Sequence, residues 1–189
     1  MAREDGDVRE RLQRVALALF RERGYDRTTA AEIAERAGVT ERTFFRHFPD
    51  KREVLFDGEA TLRAALTGAI ADAPDGLGPL AVLFRAFRAV GPLLEANRPY
   101  SEPRQAVIAA TPALHERELA KLAVLADALA AALTARGVSD LRAALAARTG
   151  MAAFAYAVIA WLEDPGPGLG GWLDRVQHEL RALLTDADA

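Results

Sequence analysis

TAAEIAERAGVTERTFFRHFPDK, residues 29–51, holds two short helices joined by a tight turn. Thr29 can N-cap the first, and Glu32 three residues later completes a capping box. Ile33, Ala34 and Ala37 give that helix one apolar face. Gly38 stops it, because glycine accepts the left-handed conformation common just past a helix C-terminus. Val39 plugs the turn and Thr40 N-caps the second helix. Pro49 disfavours helix at the residue before it, so the second helix ends near Phe48. This is the pattern of a helix-turn-helix, whose second helix fits a DNA major groove.

On that second helix, Glu41, Arg42, Thr43 and Arg46 lie on or near the exposed face, while Phe44 and Phe48 point to the core. Arg42 and Arg46 are one turn apart, so both can face one groove. An arginine fork matches guanine O6 and N7, and Glu41 can accept from cytosine N4. Outside this pattern, the same face would pass for a solvated mixture of Arg and Glu. Phosphate contacts are a separate class. Thr29, at a helix N-terminus, presents a hydroxyl and free backbone N–H groups that suit an anion. Lys51 stands at the start of the next helix, where a cation opposes the helix dipole and a nearby phosphate would relieve the conflict. His47 can donate to a phosphate, or serve as a half-buried structural histidine.

Working outward, a helix over about 7–23 carries the stripe Val8, Leu12, Val15, Ala16, Leu19 and Phe20. A fourth helix is expected from Asp50, its N-cap, to about Ala71, where ADAPDGLGP stops it. Leu80, Leu83, Phe84, Phe87, Val90 and Leu94 make the next stripe, ending before Arg98-Pro99. A short helix follows at about 101–110, and a long one from Pro112 to Arg136. Ser139 caps an eighth helix, to about Glu163, that is apolar nearly all round between Met151 and Leu162. A helix of that kind is buried on more than one side, and a second subunit can cover one of them. The last helix, about 171–185, offers Trp172, Leu173, Val176, Leu180, Leu183 and Leu184.

Residues from about Val8 to Phe56 resemble the N-terminal domain of TetR-family transcriptional regulators. The resemblance rests on Leu12, Ala16, Leu19 and Phe20, on Gly24-Tyr25, and on Thr29, Ile33-Ala34 and Ala37-Gly38-Val39. It continues through Thr43-Phe44-Phe45-Arg46-His47-Phe48 to Lys51. It implies phosphate contacts at Thr43, His47 and Lys51. It also places Phe45 at the DNA face, where the family usually has a tyrosine whose hydroxyl commonly touches a phosphate. Phe45 cannot make that bond. The resemblance further implies a homodimer built through the last two helices.

Composition limits the alternatives. With 51% hydrophobic and 27% charged residues the chain is globular rather than disordered. Alanine and leucine dominate and β-branched runs are absent, which favours an all-α fold. The absence of cysteine excludes disulfides and thiolate metal sites. Net charge is −3, with the acidic excess in residues 57–189, so the local cluster Arg42, Arg46, His47, Lys51 and Arg52 is the better sign of nucleic acid. The polar N-terminus lacks a signal peptide's apolar core, and Met151–Leu162 is short of the about 20 residues of a spanning helix. A cytoplasmic protein is expected. Gly166, Gly168 and Gly171 match a dinucleotide fingerprint, but a helix precedes them and Pro167 interrupts them. The histidines are scattered, and no nucleophile elbow or metal spacing is present. No enzyme, cofactor or metal is expected.

The expectation is therefore an all-α chain of about nine helices. Residues 1–56 form the three-helix DNA-binding domain, and 57–189 a helical ligand-binding and dimerisation domain. Apolar walls at Phe84, Phe87, Tyr100 and Tyr156 and polar anchors at Arg88, Arg104 and Arg148 are the candidate ligand residues. Each of them also has an ordinary reading as core or solvated surface. The expected function is a homodimeric transcriptional repressor that binds a near-palindromic operator and is released by a small molecule. The alternative is a helical binding or scaffold protein without regulatory DNA binding.

Overall fold

A computed structural model describes residues 2–186, with side chains except those of residues 2–5, 184 and 186. Leu184, expected on the last apolar stripe, thus lies outside the described side chains. Ten α-helices occur among the described residues: α1 Ala2–Arg23, α2 Ala30–Arg36, α3 Glu41–His47, α4 Glu59–Ala71, α5 Pro79–Ala89, α6 Gly91–Ala96, α7 Arg98–Ala109, α8 Pro112–Ala135, α9 Asp140–Glu163 and α10 Gly168–Asp186. They fall into two compact units. The first comprises Met1–Glu59 and Pro99–Glu118, and the second Ala60–Arg98 and Leu119–Ala189.

In the first unit, α1 buries Leu12, Ala16, Leu19 and Phe20 against Ile33 and Ala34 of α2 and Phe44 of α3. The α2–α3 turn is closed by two bonds, from Gly38 N to Glu35 O and from Val39 N to Ala34 O, both 3.0 Å. This pairing satisfies the last carbonyls of α2 and requires a left-handed residue, which Gly38 supplies at φ +69°.

The expected fourth helix does not begin at Asp50. Asp50 does cap, its Oδ1 accepting from the N–H groups of Arg52 at 2.7 Å and Glu53 at 3.2 Å. What it caps is a single 3-10 turn, Glu53–Leu55. Val54, Leu55 and Phe56 are all buried, and three consecutive residues cannot share one face of an α-helix. Gly58 then takes φ +88°, and α4 starts at Glu59. Lys51 therefore precedes a turn and not a long helix.

In the second unit, α5 packs against α9 and α10. The rings of Phe87 and Phe154 stack at 4.4 Å, and Phe84 meets Phe87 edge-on at 5.7 Å. Gly150 permits this approach, since a Cβ there would lie 2.9 Å from Leu83 Cδ1. The single helix expected over Leu80–Leu94 divides into α5 and α6 at Val90, where Pro92 brings no N–H to continue the ladder. Helix α9 as a whole is long and apolar enough to cross a membrane by length and composition. Ala143, Ala147, Met151, Phe154 and Trp161 are packed in the core, as in the central helix of a globular unit.

Candidate nucleic-acid interface

The recognition helix α3 is only seven residues long, so its ends decide its stability. Thr40 accepts from Thr43 N at 3.1 Å, and the two hydroxyls lie 3.0 Å apart. Phe44 and Phe48 are buried and fix the roll of the helix. That roll turns Glu41, Arg42, Phe45 and Arg46 to solvent and leaves Thr43 and His47 half-buried. Phe45 is 48% exposed, with its ring edge-on to Phe44. Nη2 of Arg46 lies 3.4 Å from Nε2 of His47. Among the described residues, none is bonded or ion-paired to the Arg42 guanidinium.

The flanking candidates are more engaged. Thr29 is the N-cap of α2 in a complete capping box. Its N–H and hydroxyl both donate to Glu32 Oε2, at 2.8 and 3.0 Å, and those bonds hold the Glu32 carboxyl below its usual range. A carboxylate thus already stands at this helix N-terminus. Lys51 donates from Nζ to Tyr25 O and Thr28 O, both at 2.9 Å, and sits 4.1 Å from the centre of the Tyr25 ring. Its ammonium closes the α1–α2 turn with two of its three donors, leaving one for a phosphate.

Residues that sequence reasoning passed over hold the helix-turn-helix from behind. Arg9 makes a two-bond fork to Asp57, Nε to Oδ2 at 2.6 Å and Nη2 to Oδ1 at 2.7 Å. Its Nη1 donates to the carbonyl of His47 at 3.1 Å, and its guanidinium lies 4.6 Å from the Phe48 ring centre. The Arg9 hydrogen bonds hold the Asp57 carboxyl below its usual range. Arg11 Nε donates to Ala37 O at 2.8 Å, at the end of α2. In the sequence these were two more arginines on a polar helix face, with partners too distant to read.

The candidate ligand residues are not brought together. Phe84 and Phe87 lie in the second unit's core, fully buried. Arg88 is exposed and paired with Asp174 at 2.6 Å. Arg148 and the 64% exposed Tyr156 stand on the outer side of α9. Tyr100 and Arg104 belong to the first unit. Tyr100 Oη donates to Val54 O at 3.3 Å, and burial pushes its phenol up to about 12. Arg104 Nε donates to Leu55 O, and its Nη1 pairs with Glu118 at 3.2 Å. A separate cleft of about 380 Å³ opens between α5, α9 and α10, with Leu80, Phe84, Leu145 and Leu180 beside Arg142 and Arg181. Of the seven candidates it includes Phe84.

Residues 12–57 match the family described as bacterial regulatory proteins, tetR family. The chain is 43% identical over 83 residues to the HTH-type transcriptional regulator TcmR of Streptomyces glaucescens, a match covering 44% of this chain and 37% of that protein's length. It is 30% identical to Thermus thermophilus FadR, a TetR family transcriptional repressor whose structure was solved with lauroyl-CoA. That likeness covers 93% of each chain, with a TM-score of 0.54. The fold also resembles NalD of Pseudomonas aeruginosa, the secondary repressor of the MexAB-OprM multidrug efflux pump, at 23% identity, 96% coverage of both chains and a TM-score of 0.63.

Proposed function

The chain belongs to the TetR family of bacterial regulatory proteins, and we propose that it is a homodimeric, ligand-responsive transcriptional repressor and not an enzyme. The observation that carries the reading is α3 itself. It is a capped seven-residue helix, rolled by Phe44 and Phe48 so that Arg42 and Arg46 face outward one turn apart. Arg42, Arg46 and Glu41 read base edges. Thr29, Thr43, His47 and Lys51 meet phosphates, and Phe45 makes apolar contact with sugar or a thymine methyl.

Two recognition helices are needed for a palindromic site, with centres about 34–36 Å apart. The dimer forms through α9 and α10. Leu141, Leu145, Tyr156 and Ile159 make an exposed stripe along α9, at 74, 60, 64 and 40% exposure, where an apolar face calls for cover. Residues 1–56 serve DNA and 57–189 ligand and dimer, with Tyr100 and Arg104 of the latter span engaged by the former. Family membership supports a cytoplasmic location. A small, largely apolar effector is supported by the lauroyl-CoA complex of FadR and by the cleft beside Phe84. Such an effector acts only by preferring the DNA-incompetent state.

Selection of bound fragments from random duplex DNA tests this reading, and a near-palindrome is expected. Arg42→Ala or Arg46→Ala should then cost about 1–3 kcal/mol at one base pair and relax specificity there. Recovery of no preferred sequence by the wild type refutes the reading.

A further inference from the structure

Arg9 touches the recognition helix only from behind, yet three independent contacts converge on it. Its fork is locked to Asp57, its Nη1 holds the last carbonyl of α3, and its guanidinium covers the Phe48 ring. Gln13 Nε2 adds a donor to Asp57 at 3.1 Å, so the carboxylate is held from two turns of α1. Asp57 itself ends the turn Glu53–Asp57, and that turn is gripped from its other side by the 99–118 segment. Tyr100 bonds Val54 O, Arg104 bonds Leu55 O, and Arg117 pairs with Glu53 at 2.9 Å. The Arg104 guanidinium also lies 5.1 Å from the Phe56 ring centre.

Four consecutive residues of one turn are thus tied to α1 or to the α7–α8 segment by charged or buried polar groups. Carbonyls that accept from a guanidinium are directional anchors, since the planar fork fixes their angle as well as their distance. A helix of seven residues has few contacts of its own to set its angle. Displacing the turn by even part of an ångström would move Asp57, then Arg9, then the C-terminal end of α3.

We propose that Arg9 and Asp57 are positioning residues for DNA reading: the 99–118 segment, through Arg104, Tyr100 and Arg117, sets the angle at which the recognition helix enters the groove. The inference rests on the DNA-binding reading above and adds the structural path by which residues far from DNA tune base readout. Base contacts depend on that angle, whereas phosphate contacts tolerate small rotations. Loss of the path therefore lowers specific binding and spares non-specific binding.

The test compares affinities for the duplex selected by the wild type and for a scrambled duplex of equal length, across a salt series. Asp57→Asn and Arg104→Lys should each weaken the selected duplex about tenfold and leave the scrambled one within about twofold. The slope of log affinity against log salt should stay unchanged, because no phosphate contact is lost. The double variant should fall well short of a hundredfold, because both changes break one path. Retained binding of scrambled DNA shows that each variant is folded. Should Asp57→Asn not fold, Arg9→Lys carries the same expectation, since a single ammonium cannot hold Asp57 and the His47 carbonyl together. Unchanged discrimination in the variants overturns the inference, as does an equal fall on both duplexes or a slope lower by about one. A wild type that does not discriminate refutes the DNA-binding reading instead.

Discussion

Replacing Lys51 by methionine keeps the aliphatic stem and removes only the ammonium. In the structure that ammonium bonds two carbonyls at 2.9 Å and faces the Tyr25 ring at 4.1 Å. A hydrogen bond to a charged group contributes about 1.5–3 kcal/mol, and a cation over an exposed ring about 0.5–1 kcal/mol. Lys51 is half-buried, which places each contribution at the low end, so about 3 kcal/mol is at stake. In a chain of this size 1 kcal/mol moves Tm by about 2–4 °C, and Lys51→Met should lower it by about 6–12 °C. Scanning calorimetry without DNA measures this, and hydrogen exchange at the α1–α2 turn localises it. The salt dependence of DNA binding gives the second readout. A slope lower by about one shows that the third donor meets a phosphate. A Tm within about 1 °C of wild type would refute the structural role, whatever happens to binding.

Two glycines should respond oppositely. Gly150→Val should lower Tm, because its Cβ would fall 2.9 Å from Leu83 Cδ1 in a core where Leu83 and Phe87 are fully buried; Gly68→Ala, with open space around it in α4, should gain about 0.5–1 kcal/mol. Because Arg9 depresses the Asp57 carboxyl in the folded state, the stability it lends is full above the ordinary aspartate value of about 4 and lost as pH falls through the lower folded value. Denaturant titrations should therefore show wild type and Asp57→Asn converging in strong acid and diverging toward neutrality. Leu145→Asp with Tyr156→Asp should convert the dimer to monomer in sedimentation runs while leaving the helical circular dichroism intact; a dimer that survives both would place the interface elsewhere.

The helix-turn-helix was legible because every signal in it is local. Thr29, Glu32, Gly38, Thr40 and Pro49 act within about four residues of their targets, and each does what its chemistry dictates. The break before α4 was not legible. A glycine within a helical pattern costs only about 1 kcal/mol, so Gly58 did not by itself announce a stop. The decisive fact is that Val54, Leu55 and Phe56 are all buried, and burial of that kind depends on surroundings remote in sequence. The same distance hid the work of Tyr100 and Arg104. Their residue types suit a ligand site, but their acceptors are carbonyls 46 and 49 positions away. Nothing in a residue's type tells whether its partner is a ligand or the protein's own backbone.

The same reasoning explains how a chain of net charge −3 can present a positive face. In the first unit, Arg9, Arg23, Arg36, Arg52, Arg104 and Arg117 each pair with a carboxylate. Those pairs contribute to architecture and little to the outward field, because the opposite charges lie within about one Debye length of each other. What a phosphate backbone meets is the remainder, and Arg42, on the exposed face of α3, has no acidic partner among the described residues. A count of Lys and Arg weighs both sets alike. The acidic excess of the whole chain is thus no obstacle to DNA binding: the field that matters is set by which arginines the fold leaves unpaired, and on which face.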